Sequence, residues 1–290
     1  MNDIIKTDWQ DYRVIATGDG YKLEDFGGVI LLRPDPQIIW RAPFDMRKYK
    51  GLHAVYERSS TGGGEWNIIR PVPQDFFVHW RSLKFSLKLM GFKHTGVFPE
   101  QAYNWARIIS MIEEANRPIS VLNLFAYTGG ATLAAAKAGA SVCHVDAAKA
   151  MCERAGQNAK RSGLGDAPIR YIVDDCVKFV EREVRRAKHY DAIIMDPPSF
   201  GRGPRGETWK LEDKIFDLVE LTRKVLSDQP LFYLINSYTT GLQPTVMKNI
   251  ADLALGDFPH KTEAYELGLP TEDPRVILPC GTTSITRYIY

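Results

Sequence analysis

From Trp105 onward the chain alternates short apolar runs with amphipathic stretches, and this feature limits the possible folds more than any other. The apolar runs that we expect to be strands are Val121–Phe125, Ser141–Asp146, Ile169–Val173, Ala192–Met195 and Leu231–Asn236. Helices are expected to begin near Ala131, Ala148, Val177, Leu211 and Gln243. Continuous apolar strands that alternate with helices indicate a parallel sheet covered on both faces. The pattern therefore predicts a doubly wound α/β fold.

The two ends of the chain follow other patterns. Thr262–Leu267 and Val276–Ile289 are strand candidates with only a polar loop between them, so an antiparallel hairpin should complete a seven-stranded, mostly parallel sheet. Ser82–Leu89 alternates apolar and polar side chains as a half-buried strand does. We therefore predict a small β-rich N-terminal domain at residues 1–100, with a role in substrate recognition, and the α/β domain at residues 101–290.

Composition excludes several classes of protein. The four cysteines form no Cys-x-x-Cys pair and the six histidines no His-Glu-x-x-His motif, so we expect neither a disulfide scaffold nor a metal site. The longest aliphatic runs, such as Val29–Leu32, are far shorter than the roughly 18 residues of a membrane span. The first residues include acids and no apolar leader, so we expect a cytoplasmic protein without membrane contact.

Charge is distributed unevenly. The formal net charge is only +2, but residues 41–93 hold ten Lys or Arg against four Asp or Glu. Such a local excess is typical either of a solvated basic face or of a surface that binds nucleic acid. Both interpretations stay open at this point.

The first strand of the predicted sheet ends in a glycine turn. Ligands of doubly wound sheets bind beyond the carboxyl ends of the strands. Gly129 and Gly130 follow the first strand, where they would allow close backbone approach and lead into a helix whose amides can meet an anion. The turn matches neither Gly-x-Gly-x-x-Gly nor the Gly-Lys-Ser/Thr phosphate loop, which counts against NAD and ATP.

The second and third strands end in acids. Asp146 could accept hydrogen bonds from ribose hydroxyls, or it could cap the next helix. Asp174 and Asp175 could meet an adenine amino group, and helix capping is again the alternative. Three successive strand ends of this kind favour an adenosine-containing ligand more than any one of them alone.

The fourth strand delivers Asp-Pro-Pro-Ser-Phe at residues 196–200. Two prolines remove two backbone donors and fix φ, which leaves carbonyls able to accept hydrogen bonds from a planar amine. A rigid exit from the strand is the alternative. We predict a catalytic group formed by Asp196, Pro197, Pro198 and Phe200, with the aromatic ring stacking on the substrate.

Together, Asn-Leu-Phe-Ala-Tyr-Thr-Gly-Gly at 123–130, Asp146, Asp174-Asp175 and Asp-Pro-Pro-Ser-Phe resemble the motifs of class I S-adenosylmethionine-dependent methyltransferases, which have a Rossmann-like fold. More narrowly, they are similar to the bacterial large-subunit ribosomal RNA methyltransferases for 5-methylcytosine and 7-methylguanine. The resemblance covers about residues 95–290, with Ala102 and Trp105 where that group often has Arg. It implies S-adenosylmethionine as cofactor and RNA, ribosomal in the first place, as partner.

The resemblance also implies roles for individual residues. The loop after the first strand would wrap the methionine portion, Asp146 would bind ribose, Asp174 or Asp175 would meet adenine, and Gln101 would approach from the preceding segment. The full set predicted to bind the cofactor is Gln101, Asn123, Phe125, Ala126, Tyr127, Thr128, Gly129, Gly130, Asp146, Ala147, Asp174, Asp175 and Cys176.

The chemistry predicted is transfer to a base nitrogen, because methyl transfer mainly requires the nucleophile to be held in line. A carbon nucleophile such as cytosine C5 needs prior attack by a thiolate. No cysteine occupies a convincing position for that attack; the four are Cys143, Cys152, Cys176 and Cys280. A small-molecule or protein methyltransferase and a non-catalytic binding protein of the same fold remain alternatives.

The loop after the catalytic group is basic and rich in glycine. Arg202 and Arg205 could contact phosphates from a mobile lid anchored by Trp209, or the loop could simply be solvated. The sequence favours neither interpretation.

Overall fold

The computed structural model describes residues 8–59, 63–202, 208–256 and 258–290, with only the backbone of Arg202. Two compact units divide the chain. The smaller unit comprises the described residues up to Ala102 together with Gly268–Pro279. The larger unit comprises Tyr103–Leu267 and Cys280–Tyr290.

The smaller unit consists mainly of strands. Its main sheet contains, in spatial order, β1 (Tyr12–Gly18), β2 (Tyr21–Phe26), β3 (Val29–Pro34), β4 (Leu52–Arg58) and β5 (Gly64–Ile68). Its neighbours are antiparallel except for the parallel pair β3 and β4. A separate hairpin is formed by β6 (Phe76–Trp80) and β7 (Leu83–Leu87). In β7 the side chains of Leu83, Phe85 and Leu87 are buried, as the alternating pattern predicted.

The larger unit alternates helices and strands. The helices are α1 (Ala102–Glu114), α2 (Gly130–Lys137), α3 (Lys149–Arg161), α4 (Cys176–Arg185), α5 (Leu211–Arg223) and α6 (Pro244–Ala254). The strands are β8 (Ser120–Leu124), β9 (Ser141–Asp146), β10 (Ile169–Val173), β11 (Ala192–Met195), β12 (Phe200–Arg202), β13 (Thr208–Lys210), β14 (Phe232–Ser237), β15 (His260–Pro270) and β16 (Ile277–Tyr288). Strands β12 and β13 form a small hairpin of their own.

The other seven strands form one sheet in the order β10-β9-β8-β11-β14-β16-β15. The first five are parallel, and β16 runs antiparallel to β14. The predicted doubly wound, mostly parallel sheet is thus confirmed. Strand order reverses between β8 and β11, which is where such sheets bind ligands.

Helices cover both faces of this sheet because its strands are apolar on both sides. Ala192 and Ile194 of β11 pack in a core with α1 and α2, whereas Ile193 and Met195 pack in a second core with α4, α5 and α6. Successive strand residues point to opposite faces, so a continuous apolar run is required. Within the described residues, none of the helices combines the length and apolar character needed to cross a membrane.

Candidate active site

A strained loop leaves the carboxyl end of β8. We call residues Phe125–Gly130 the glycine loop. Phe125 has φ of 54° and Tyr127 has φ of 50°, both in the left-handed region that non-glycine residues rarely occupy. Such a conformation costs on the order of 1–3 kcal/mol per residue and persists only where its surroundings enforce it. Strain of this kind concentrates at ligand-binding loops.

Three side chains from neighbouring elements each hold one backbone group of the glycine loop. The bonds are Phe125 N–H to Cys176 Sγ at 3.2 Å, Tyr127 N–H to Asp146 Oδ2 at 2.8 Å, and Asn158 Nδ2 to the Thr128 carbonyl at 3.1 Å. These side chains come from the end of β9, from the first residue of α4 and from α3. The loop is therefore fixed before any ligand binds.

The two glycines of this loop are required by close packing. At Gly129, where φ is 91°, an added Cβ would lie 2.9 Å from the Cβ of Ala155. At Gly130 an added Cβ would lie 2.3 Å from the indole of Trp105. Among the residues that the structure describes, no side chain caps α2, which starts at Gly130, so its first amides face the loop. Trp105 thus packs directly beneath the loop.

Asp146 is held so that both carboxylate oxygens point along defined directions. Its Oδ2 accepts from the Tyr127 N–H, and its Oδ1 accepts from the Ala148 N–H at 2.8 Å. A carboxylate oxygen has two lone pairs, so each can accept one further hydrogen bond. The side chain is half-buried, and Ala147 beside it is exposed. This arrangement suits a ligand that offers two adjacent hydroxyls.

The acids after β10 lie next to Asp146. The Asp174 N–H donates to the Asp146 carbonyl at 3.1 Å, and the Asp174 carboxylate forms an ion pair with Arg182. Asp175 caps α4, because its Oδ1 accepts from the Lys178 N–H at 2.9 Å. Helix capping by Asp175 is therefore confirmed, and the adenine contact stays a prediction.

Two residues of the predicted cofactor set turn their side chains into the core. Cys176 is buried, and burial raises the pKa of its thiol to about 12, so the sulfur stays protonated at neutral pH. Asn123 is buried too, and its Nδ2 donates to Thr132 Oγ1 at 2.8 Å. Both side chains therefore stabilise the backbone around the glycine loop.

Asp196 lies at the same edge of the sheet as the glycine loop. Met195 is paired with Leu124 across β11 and β8, so Asp196 and Phe125 follow neighbouring strand ends. Asn236 Nδ2 donates to Asp196 Oδ1 at 3.1 Å. After it, Pro197 is buried, Pro198 is exposed and the Phe200 ring is 54% exposed, which is compatible with stacking on a ligand.

Trp209 connects the glycine loop to the catalytic group. Its indole Nε1–H donates to the Pro198 carbonyl at 2.7 Å, and its ring centroid lies 6.2 Å from that of Phe125. Trp209 thus helps to hold the β12–β13 hairpin against the Pro198 carbonyl, and its role as the anchor of a mobile lid stays a prediction. Arg205 and the side chain of Arg202 lie outside the described residues.

The cysteines differ in their access to this edge. Cys143 and Cys152 are buried, and burial raises the pKa of both thiols. Cys280 is only partly buried. Thr282 pairs with Ser237 at the carboxyl end of β14, so Cys280, two residues before Thr282, lies beyond that same sheet edge. Sequence reasoning placed Cys280 on the last hairpin without recognising that the antiparallel register brings it there.

Sequence reasoning also missed three residues that hold the site: Asn158, Asn236 and Trp105. Asn158 and Asn236 are fully or almost fully buried. In the sequence, the only indication of their role was a single amide on an otherwise apolar face of a helix or strand. Gln101, in contrast, was predicted and belongs to the smaller unit, where it ends a helical turn at Pro99–Gln101. Its contact with a cofactor stays a prediction.

The fold, the glycine loop and the acids at successive strand ends define a class I S-adenosylmethionine-dependent methyltransferase. Residues 44–241 match the S-adenosylmethionine-dependent methyltransferase family, and the chain belongs to it. A solved S-adenosylmethionine-dependent methyltransferase from Agrobacterium tumefaciens is 33% identical, with a TM-score of 0.90 and coverage of 98% of this chain and 92% of that chain.

Two relatives carry more specific names. Ribosomal RNA large subunit methyltransferase K/L of Allochromatium vinosum is 32% identical over 171 residues, which cover 58% of this chain and 23% of the relative. Ribosomal RNA large subunit methyltransferase I of Aeromonas salmonicida is 31% identical over 170 residues, which cover 58% of this chain and 40% of the relative. The matched region therefore spans less than half of either relative.

The geometry of the site fits the cofactor of this family. S-adenosylmethionine carries a ribose with two adjacent hydroxyls, and Asp146 has one further acceptor direction on each oxygen. Its charged methionine end needs close backbone approach, and Gly129 and Gly130 leave the backbone of the loop free of side chains at those two positions. The strained, externally anchored loop is what a preformed cofactor site requires.

Proposed function

We propose that this enzyme methylates a base nitrogen of RNA, with large-subunit ribosomal RNA as the substrate class. The observation that carries the proposal is the Asp196 carboxylate, oriented by Asn236 beside the glycine loop, with the exposed ring of Phe200 on the same segment. The names of the two ribosomal RNA methyltransferase relatives support RNA as the acceptor. With such a substrate the enzyme would work in the cytoplasm.

In this proposal the cofactor lies along the glycine loop. Phe125–Gly130 surrounds the methionine portion, Asp146 accepts from the ribose hydroxyls, and Asp174 or Asp175 accepts from the adenine amino group. Gln101, in the segment that precedes α1, stays a proposed contact of the cofactor. Ala147 and Cys176 line or support the adenosine end, and Asn123 supports the loop from below through Thr132.

In this proposal the enzyme accelerates methyl transfer mainly by holding the base nitrogen in line with the methyl group. When bound, S-adenosylmethionine supplies a methyl group attached to a positively charged sulfur, and the leaving group is the neutral thioether that remains. Asp196 and the Pro197 carbonyl accept hydrogen bonds from the N–H groups of the base and so turn the nitrogen lone pair towards the methyl carbon. As the N–C bond forms, the proton leaves the nitrogen for the Asp196 carboxylate. Stacking on Phe200 would contribute about 1–3 kcal/mol to holding the base.

The smaller unit is the proposed substrate-recognition domain; besides the described residues of the predicted 1–100 domain it includes Gln101, Ala102 and Gly268–Pro279. Several of its basic side chains are exposed: Arg41, Arg47, Lys48, Lys50, Arg58, Arg70 and Lys88. Arg47 pairs with Glu57 at the surface. In sequence, Arg41 and Lys50 lie on either side of Phe44. The Phe44 ring is 43% exposed and stacks on Tyr49 at 6.1 Å between centroids. Exposed cations next to exposed aromatic rings suit an RNA strand.

We expect RNA binding to weaken steeply with salt, because each phosphate contact releases counterions. Replacing both Arg41 and Lys50 by Ala should reduce the magnitude of the slope of log K against log salt by about 1.4 to 1.8, which corresponds to two phosphate contacts. Fluorescence anisotropy with a labelled fragment of ribosomal RNA, titrated from low to high salt, measures this slope.

Lys149→Ala is the matched control, because Lys149 is an exposed cation of the larger unit, 79% exposed and outside the proposed surface. It should leave the slope unchanged. If RNA affinity is equal at low and high salt, or absent at both, the proposed RNA substrate is wrong. A small molecule then becomes the favoured methyl acceptor.

A second candidate, methylation of a pyrimidine carbon, is favoured by one observation. Cys280 is only partly buried and lies beyond the carboxyl end of β14, at the edge that carries Asp196. Attack on a pyrimidine by a thiolate is the step that carbon methylation needs. We prefer nitrogen because the Asp-Pro-Pro segment supplies hydrogen-bond acceptors for an amine, which a carbon nucleophile does not use.

A further inference from the structure

A chain of hydrogen bonds, buried at its centre and partly buried at its two ends, runs across the larger unit and ends on Asp196. We call Tyr265, Asn104, Thr283 and Asn236 the polar chain. Its bonds are Tyr265 OH to Asn104 Oδ1 at 2.7 Å, Asn104 Nδ2 to Thr283 Oγ1 at 2.9 Å, Thr283 Oγ1 to Asn236 Oδ1 at 2.8 Å, and Asn236 Nδ2 to Asp196 Oδ1 at 3.1 Å. The four residues come from β15, α1, β16 and β14.

The polar chain occupies positions that would otherwise belong to the core. Asn236 follows Phe232 and Leu234 on the face of β14 that packs in the core with α1, and Thr283 is directly opposite Asn236 on β16. Asn104 and Asn236 are each 1% exposed and Thr283 is 0% exposed. Apolar residues at these positions would be cheaper to bury than amides. Fully connected polar groups in a core therefore call for a role besides packing.

The direction of donation along the chain follows from the charge at its end. An ionised carboxylate can only accept, so Asn236 must present its Nδ2 to Asp196 and its Oδ1 to Thr283. Thr283 must then donate to Asn236 and accept from Asn104. Asn104 is left with its Oδ1 facing Tyr265. Burial raises the pKa of the Tyr265 phenol above its usual value, so Tyr265 keeps its proton and donates.

Every bond of the chain thus donates towards Asp196. Hydrogen bonds aligned in one direction polarise one another, which strengthens the last of them. A reversed chain would place the Asn236 carbonyl against the carboxylate and would require Asp196 to be protonated. The arrangement therefore favours one orientation of the Asp196 carboxylate.

We propose that Tyr265, Asn104, Thr283 and Asn236 are positioning residues that orient the Asp196 carboxylate and keep it an acceptor for the substrate amine. This inference rests on the proposed catalytic role of Asp196. It assigns to the edge strands β15 and β16 a part in catalysis beyond completing the sheet.

The test is a comparison of threonine variants in β16. Thr283→Val removes the hydroxyl with little change of shape and should lower kcat roughly ten- to hundredfold, because the carboxylate loses its orientation. The KM for RNA and the Kd for S-adenosylmethionine should stay within about twofold, since no residue of the polar chain is proposed to contact RNA or the cofactor. Thr283→Ser keeps the hydroxyl and should restore most of kcat.

Thr286→Val is the matched control for the loss of a buried hydroxyl. Thr286 is fully buried in the same strand and bonds Thr262 at 2.9 Å, with no connection to Asp196. It should lower the melting temperature about as much as Thr283→Val and leave kcat unchanged. Tyr265→Phe, at the far end of the polar chain, should lower kcat only about two- to fivefold and tests the proposal if Thr283→Val does not fold.

A double-variant cycle separates positioning from general damage. If the polar chain acts through Asp196, Thr283→Val should slow Asp196→Asn by less than about twofold, because the effects of residues that act as a unit do not add. Additive losses, or equal kcat for the Thr283→Val and Thr286→Val variants, would overturn the inference while leaving the proposed function intact. Full activity of Asp196→Asn alone would instead overturn the proposed function.

Discussion

Replacing Asp196 by Ala should lower kcat by about 10²- to 10³-fold and change the Kd for S-adenosylmethionine by less than about threefold. The carboxylate orients and deprotonates the amine only as the methyl group arrives, and groups of this kind typically contribute at least 10²-fold. Asn236, which donates to Asp196 Oδ1, belongs to β14, and β14 lies on the opposite side of β11 from the strand that leads into the glycine loop. Single-turnover methyl transfer and titration calorimetry measure the two quantities separately.

Asp191→Ala is the matched control for this variant. Asp191 precedes the same strand, β11, at its opposite end, where it pairs with Arg117 at 3.0 Å and accepts from the Ser120 N–H at 2.8 Å. Its replacement should reduce stability and leave kcat unchanged. Cys280→Ser should also turn over normally. If the Cys280→Ser protein folds and binds cofactor but is inactive, Cys280 is the nucleophile and the methylated atom is a pyrimidine carbon.

Replacing Asp146 by Ala should weaken S-adenosylmethionine binding by about tenfold or more, as expected when a charged acceptor of ribose hydroxyls is removed. The same substitution deprives the Tyr127 and Ala148 amides of their acceptor, so the glycine loop also loses an anchor. Asp146→Asn keeps one acceptor oxygen and should give an intermediate Kd. Calorimetry with S-adenosylmethionine and with S-adenosylhomocysteine measures both.

At saturating cofactor the Asp146→Ala enzyme should recover most of its kcat, because Asp146 is proposed to bind the cofactor and not to touch the acceptor. This behaviour is the reverse of that expected for Asp196→Ala, so the pair separates binding from catalysis. An unchanged Kd in the Asp146→Ala protein would remove this acid from the cofactor site.

The sequence predicted the sheet well because its parallel strands are buried on both faces. The bounds of β9, β10 and β11 agree with the apolar runs, and β8 and β14 differ from theirs by one residue. The β12–β13 hairpin was missed, since the Trp209 bond to Pro198 helps hold it and no periodic pattern marks it.

The outline of the site could be predicted for a topological reason. Parallel strands bring their carboxyl ends to one edge, so the residues after β8, β9, β10 and β11 had to lie together. The polar chain could not be predicted in this way. Asn104, Asn236 and Thr283 are far apart in sequence, and only the antiparallel register of β14 and β16 brings the last two together. The position of Cys280 beyond the end of β14 could not be predicted for the same reason.

The central claim is tested most directly by identifying the methylated atom. Ribosomal RNA from a strain that lacks the gene would be incubated with the enzyme and isotopically labelled S-adenosylmethionine, then digested to nucleosides and analysed by chromatography and mass spectrometry. We predict label in one nucleoside whose new methyl group is on a base nitrogen, and no such product with the Asp196→Ala enzyme. Label in 5-methylcytosine, or no label in RNA from an enzyme that binds the cofactor, would contradict the account.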